Sequence, residues 1–304
     1  MQWIIFCLIA AVVFSISVFI DNYLTDVIFK SRTPQAIKAI DCILYAILAS
    51  IIALIFGLES TPLPIILLAL ASGAITSLSS VFYYLALRDE ESTTAAVFFQ
   101  IIPIICIVAD FFILGHEITL RQINGFILVL IAPIVIALAR RRKSTRKLEI
   151  KALGLFTAYA IFHAAGSIGY AKAEQYDPDA MTLFFWFIVG RALFDAICTI
   201  LIPKYRKRLK PILKKDGLKF ITLATLTLGL TAMGDFLVRY SYNFTTTSLA
   251  TVLANASELI VTFILGIVLT IVWPKFGREK LSRHIVISHL IAVILIVIGI
   301  ILAN

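Results

Sequence analysis

Apolar residues run along this chain in ten stretches of spanning length, roughly 3–24, 36–57, 65–87, 92–114, 119–139, 151–173, 180–202, 218–242, 246–272 and 284–303. A helix needs about 20 mainly apolar residues to cross the hydrocarbon of a bilayer. The pattern therefore predicts an all-α integral membrane protein with ten transmembrane helices. The spans use nearly all of the chain, so any chemistry sits in or beside the membrane.

The pattern is written twice. Residues 82–104 lie over 237–259 without a gap: a Tyr-rich helix end, a hydroxyl-rich turn, then an apolar helix. Gln100 falls on Asn255 and Pro103 falls on Glu258. Each half then reaches Gly-x-Glu, at Gly115-His116-Glu117 and at Gly277-Arg278-Glu279, before a last apolar helix. Glu117 and Glu279 stand four residues before Arg121 and Arg283, a spacing that locks helix ends. The second copy carries extra residues around Ile271-Val272-Trp273-Pro274. Five helices per half is an odd number, so the second copy must enter the membrane upside down relative to the first. The expected organisation is two inverted five-helix repeats, 1–139 and 151–304, joined by a basic cytoplasmic linker at 140–150. Such duplications build many transporters, with the site between the halves.

Charge adds a direction. Most of the 27 Lys and Arg fall in the odd-numbered loops. The heaviest runs are Arg140-Arg141-Arg142-Lys143 with Arg146 and Lys147, and Lys204 to Lys215. By the positive-inside rule these loops are cytoplasmic and both termini face outward. The plasma (inner) membrane is the expected location, and the run from Pro203 to Pro211 can also meet anionic lipid headgroups. The net charge of +9 is thus a topology signal, with no nucleic-acid partner implied. The start of the chain lacks a basic n-region, so the first span is expected to be a retained helix.

Composition sharpens this only a little. A 61% hydrophobic fraction is too apolar for an ordinary soluble domain. Cys7, Cys42, Cys106 and Cys198 lie within spans without metal or disulfide spacing. His116-Glu117 opens a zinc-binding pattern, but Leu120 stands where the second histidine belongs. No nucleotide-binding, dinucleotide or nucleophile-elbow motif is present. Neither a metal, a cofactor nor an enzymatic activity is expected. Asn243-Phe244-Thr245 matches a glycosylation sequon but lies against the membrane.

Charges inside spans cost roughly 2.5–3.5 kcal/mol each on insertion scales and usually face a cavity or a partner. The candidates are Asp110, Arg191, Asp195, Asp235, Arg239 and Glu258. Glu258 lies near the middle of span nine, one turn from Asn255. An acid there can attract a cation or carry a coupling proton, or it can bridge Arg191 or Arg239. Arg191 with Asp195, and Asp235 with Arg239, are i, i+4 pairs that read as structural neutralisation. Arg239, freed from Asp235, can hold a carboxylate bidentately, and with Glu258 would suit a zwitterion. His163 shares a stripe with Tyr159 and Tyr170 and is a candidate proton relay or a bundle hydrogen-bonding group. Tyr83, Tyr84, Tyr240 and Tyr242 end their helices, as interfacial belt or as ligand contacts. Gln100 and Asn255, at equivalent repeat positions, are candidate substrate contacts or interhelical hydrogen bonds. Gly166 and Gly169 give the sixth helix a small-residue packing face. Pro103 removes a backbone hydrogen bond and can bend span four as a gate.

Taken in order, the ten spans, the duplicated halves, the Ala86-Leu87 to Ala95 turn, the helix with Pro103 and the Leu114 to Glu117 end resemble the EamA branch of the drug/metabolite transporter (DMT) superfamily. The resemblance implies alternating access around a central cavity lined by helices 1, 3, 4, 6, 8 and 9. The chain departs from the pattern at Asp21-Asn22-Tyr23 and at Glu258, which stands where the second copy usually has proline.

The expected function is secondary active transport of a small polar metabolite, an amino acid, nucleoside or nucleobase, or organic cation, with proton coupling through Glu258. The alternative is a flippase or carrier for a lipid-linked sugar or phospholipid. The expected partners are the small-molecule substrate and membrane lipid. Ten helices can enclose a pathway in one chain, which leaves monomer and homodimer both open.

Overall fold

The computed structural model describes residues 2–30, 33–87, 99–117, 119–141, 150–176, 178–272 and 283–303. The hydroxyl-rich turn at 88–98, residues 142–149 of the linker, and Trp273 through Glu279 lie outside the described residues. Among the described residues the regular structure is entirely helical. In chain order the α-helices are α1 (Gln2–Tyr23), α2 (Lys38–Phe56), α3 (Leu63–Leu87), α4 (Ile101–Phe112), α5 (Leu120–Arg141), α6 (Ile150–Glu174), α7 (Ala180–Leu201), α8 (Pro203–Ser241), α9 (Thr247–Val272) and α10 (Arg283–Ala303). Among the described residues, α1, α2, α3, α7, α8 and α9 are long and apolar enough to cross a membrane. Leu54, Phe112, Leu120 and Leu218 are more than three-quarters exposed. Large apolar side chains bared in this way suit a surface solvated by lipid.

The helices pack in pairs. α5 lies against α10, α3 against α6 and α7, α2 against α7, α1 against α8 and α9, and α4 against α6 and α9. Close approach depends on glycine at two crossings. A Cβ on Gly73 of α3 would collide with the backbone carbonyl of Phe187 on α7, and one on Gly190 of α7 with that of Leu70 on α3. Gly166 and Gly169 of α6 meet Thr76 and Ser72 of α3 in the same way, so the small-residue face of the sixth helix is a packing face.

One segment differs from expectation. The basic run after residue 203, read from sequence as a loop, is the first part of α8, with non-helical dihedrals at Asp216. Its register explains this. Tyr205, Leu209 and Ile212, spaced i, i+4, i+7, are buried on the central core, while Lys204, Arg206, Lys207 and Lys210 stay exposed. That is an amphipathic helix, hidden in the sequence by its charge density. Arg208 ties it to the connection between α1 and α2 by donating to the Phe29 carbonyl at 2.6 Å.

Candidate functional site

The polar residues of the spans converge on one cavity of about 110 Å³. Its wall comes from α1, α2, α3, α4, α6, α7, α8 and α9, leaving α5 and α10 outside. All six helices implied by the family resemblance contribute. α2 and α7 contribute as well, bringing Lys38, Asp41, Tyr45 and Arg191.

Three networks of buried charge surround this space. In the first, Asp21 near the end of α1 accepts hydrogen bonds from Tyr84 Oη (3.1 Å), Tyr83 Oη (3.4 Å) and Thr227 Oγ1 (3.0 Å). Thr227 belongs to α8, so this carboxylate joins three helices. In the second, Lys38 at the start of α2 lies 3.3 Å from Asp195 and 3.7 Å from Asp41, and donates to Ser77 (3.0 Å) and Ser80 (2.8 Å) of α3. In the third, Asp235 of α8 receives both Arg191 of α7 and, at 3.1 Å, Arg239. Each guanidinium also lies on an aromatic face: Arg191 is 4.5 Å from the Tyr45 ring and Arg239 is 4.2 Å from Phe187. Such cation–π contacts offset part of the cost of burying the charge.

Glu258 stands apart from these networks. It is the twelfth residue of α9, about 17 Å along the helix from its start. Its side chain is 5% exposed and lines the cavity. No hydrogen bond or ion pair reaches its carboxylate among the described residues. Its backbone is fixed instead, since Ser15 of α1 donates to the Glu258 carbonyl at 3.2 Å and Thr262 donates to Ser15 at 3.0 Å. Beside it the wall is aromatic. Tyr159 has its ring centroid 5.6 Å from Tyr83, 5.1 Å from Phe99 and 5.4 Å from His163.

The residues singled out in the sequence divide clearly. Glu258, Asn255, Tyr83, Tyr159, His163, Arg191 and Asp235 line the cavity, whereas Arg239, Gln100, Pro103 and Asp195 lie outside its wall. Arg191 and Asp195 do not pair as their i, i+4 spacing suggested. Arg191 reaches across to Asp235, and Asp195 reaches Lys38, because α7 packs on α2, α3 and α8 and interhelical partners lie nearer than the next turn. Arg239 binds Asp235 through Nη1 and lies against Phe187 and Tyr170; its Nε and Nη2 have no acceptor among the described residues, but the side chain lies outside the cavity wall. A Glu258 bridge to either arginine is likewise absent among the described residues. Gln100 and Asn255 form a reciprocal clasp between α4 and α9. Gln100 Nε2 donates to the Asn255 carbonyl at 2.9 Å, and Asn255 Nδ2 donates to the Phe99 carbonyl at 3.1 Å. Pro103 lies buried inside α4. Tyr240 joins an aromatic group with Phe236, Phe244 and Phe6. Asp110 has a structural task as the N-terminal cap of α9, accepting from the Ser248 amide at 2.6 Å, with His116 at 3.3 Å.

Sequence reasoning missed Lys38, Asp41, Ser17, Thr231 and Thr227, and noted Asp21 only as a departure from the family pattern. A signal did exist on α3, where Thr76, Ser79, Ser80 and Tyr83 recur at helical spacing and all face the cavity. Lys38 sat so close to a predicted loop that it counted only as a topology charge.

Residues 1–138, which cover α1 to all but the end of α5, match the model of the EamA-like transporter family. Comparison with curated proteins yields no match. A solved structure described as "Crystal structure of protein" aligns over 97% of this chain and 96% of its own, with a TM-score of 0.60 and 16% identity. At that identity the likeness speaks for a shared fold alone. With several helices long and apolar enough to cross a membrane, the chain is a multi-pass membrane protein whose residues 1–138 match the EamA-like transporter family.

Proposed function

We propose that the protein is a secondary active transporter that moves a small polar metabolite by alternating access through the central cavity. One observation carries this reading: a small cavity bordered by buried charged side chains and walled by eight helices, four from each half of the chain.

An inverted repeat of five helices each, with both termini outside the plasma membrane, accounts for the packing. Exchanging α1–α5 for α6–α10 turns the α3·α6 contact into α8·α1, and α4·α6 into α9·α1. It returns α2·α7, α4·α9 and α5·α10 to themselves. The reciprocal Gln100–Asn255 clasp supports the same symmetry, because the two residues occupy equivalent repeat positions and bond each other's strand of backbone. In this reading the halves rock about the clasp and about the Pro103 bend. Glu258 carries the coupling proton or cation, with His163 beside Tyr159 as the second titrating group of the wall. Asn255, Tyr83 and Tyr159 contact the substrate. The cytoplasmic side is closed by the Lys38 network, which joins α2 and α3 to α7.

The test is a thermal-shift screen of the purified protein against amino acids, nucleosides, sugars and quaternary amines, with Glu258→Gln alongside. A ligand that binds only the folded state raises apparent stability by mass action, by about 2.7 kcal/mol at 100 times its Kd. Selective stabilisation by one soluble class supports the reading. No response to any soluble class well above millimolar concentration would turn the assignment toward a lipid-linked substrate.

A further inference from the structure

The charges of the cavity wall are unevenly matched. Four carboxylates face it, Asp21, Asp41, Asp235 and Glu258, against two cations, Lys38 and Arg191. The two cations are both engaged. Lys38 lies between Asp41 and Asp195, and Arg191 is held by Asp235. Asp21 accepts three hydroxyl hydrogens. Glu258 is left 95% buried with no donor and no cation among the described residues, its side chain facing the cavity. A buried carboxylate without a partner costs several kcal/mol, which a ligand that supplies the missing positive charge recovers. The surface beside it is aromatic: Tyr83, Phe99 and Tyr159 stand at mutual ring-centroid distances of 5.1–5.9 Å. Ring faces attract cations and also accept an apolar body.

We propose that Glu258 is the anchor for the ammonium group of a small organic amine, and that the Tyr83–Phe99–Tyr159 cluster receives the amine's apolar or aromatic body. This rests on the cavity being the transport site, and narrows the substrate to one chemical class. An α-amino acid fits less well. The cations of the wall that its carboxylate would need are already paired, Arg191 with Asp235 and Lys38 with Asp41 and Asp195. Sequence alone pointed to the acid but not to its isolation, which depends on Arg191 and Arg239 both closing on Asp235.

The experiment uses the full-length protein in detergent and three probes with one common body. These are phenethylamine, 2-phenylethanol, which lacks the charge, and phenylalanine, which adds a carboxylate. Isothermal titration is run on wild type, Glu258→Gln and Glu258→Asp. The expected result is binding of phenethylamine to wild type at least about tenfold tighter than of either other probe. The Glu258→Gln variant should lose about 10- to 100-fold in affinity for the amine, the worth of one charge-assisted contact. Glu258→Asp, which keeps the charge, should retain part of the binding. Unfolding curves of both variants at or above wild type show that the loss is not misfolding. Equal binding of amine and alcohol, or Glu258→Gln within twofold of wild type, overturns the proposal. So does tighter binding of phenylalanine, which would hand recognition to the Arg191 Nε–H, a buried donor without an acceptor among the described residues. Counterflow in proteoliposomes separates the two levels of the claim. Exchange of another soluble solute without exchange of phenethylamine sinks the amine assignment and leaves the transporter standing. Exchange of no soluble solute sinks the transport reading itself.

Discussion

Replacing Asp235 by asparagine removes one carboxylate and leaves the two guanidiniums it holds without their shared counter-charge. The side chains of Arg191, Asp235 and Arg239 are 5%, 3% and 1% exposed, so the lost charge is poorly screened even though Arg191 and Asp235 border the cavity. Breaking a buried ion pair by deleting one partner costs about 3–5 kcal/mol. Here one deletion strands two cations. Unit charges about 4 Å apart at an effective dielectric of about 20 interact by about 4 kcal/mol. A loss of at least about 4 kcal/mol is therefore expected, larger than for removal of either arginine alone. Adding Arg191→Met and Arg239→Met to Asp235→Leu should recover most of it, since apolar groups of similar volume often replace a buried charge cluster at little cost. The assay is reversible unfolding in mixed micelles of dodecyl maltoside and increasing SDS. An Asp235→Asn protein within about 1 kcal/mol of wild type would refute the reasoning, because the pair would then be contributing nothing in place.

Further outcomes follow from other contacts. Asp110→Ala should cost about 1–2 kcal/mol through loss of the α9 cap, whereas Asp110→Asn, which still presents an oxygen to the Ser248 amide, should cost less, both read by thermal unfolding. Gly190→Val should lower stability by about 3 kcal/mol or block accumulation of folded protein, because the new side chain meets the Leu70 carbonyl, a neighbour that cannot rotate away. Gln100→Ala and Asn255→Ala each remove one bond of the clasp and should cost about 1 kcal/mol. A double-mutant cycle should show the two effects to be non-additive, since the bonds share one helix crossing.

The membrane-spanning character was legible because the spans behind α1, α2, α3, α7, α8 and α9 are long and continuously apolar, a signal that needs no partner to be read. The amphipathic start of α8 was not, since thirteen residues rich in Lys and Arg look like a loop until Tyr205, Leu209 and Ile212 are seen to fall on one buried face. Among the candidate residues, Glu258 and Asn255 were singled out through the sequence repeat, and both line the cavity. The partners of Arg191 and Asp195 were misread because local spacing fixes only which residues share a face. Which helix lies across from that face is a property of the whole bundle, and α7 faces α2, α3 and α8. Asp21 and Lys38 escaped for a related reason. Near the ends of α1 and α2 they look like interfacial charges, and only the packing of α1 on α8 and α2 on α7 draws them inward, where each is less than a tenth exposed.

The central claim is that the cavity opens to the two sides of the membrane in turn. Val18 lines it, is 6% exposed, and accepts a cysteine with little change in volume. In a background where Cys7, Cys42, Cys106 and Cys198 are replaced, Val18→Cys should react with a membrane-impermeant thiol reagent from either face of oriented vesicles. A transportable substrate held on one side should shift that reactivity toward one face. Labelling from one face only, whatever the gradient, would contradict alternating access and leave a binding protein or a blind pocket in its place.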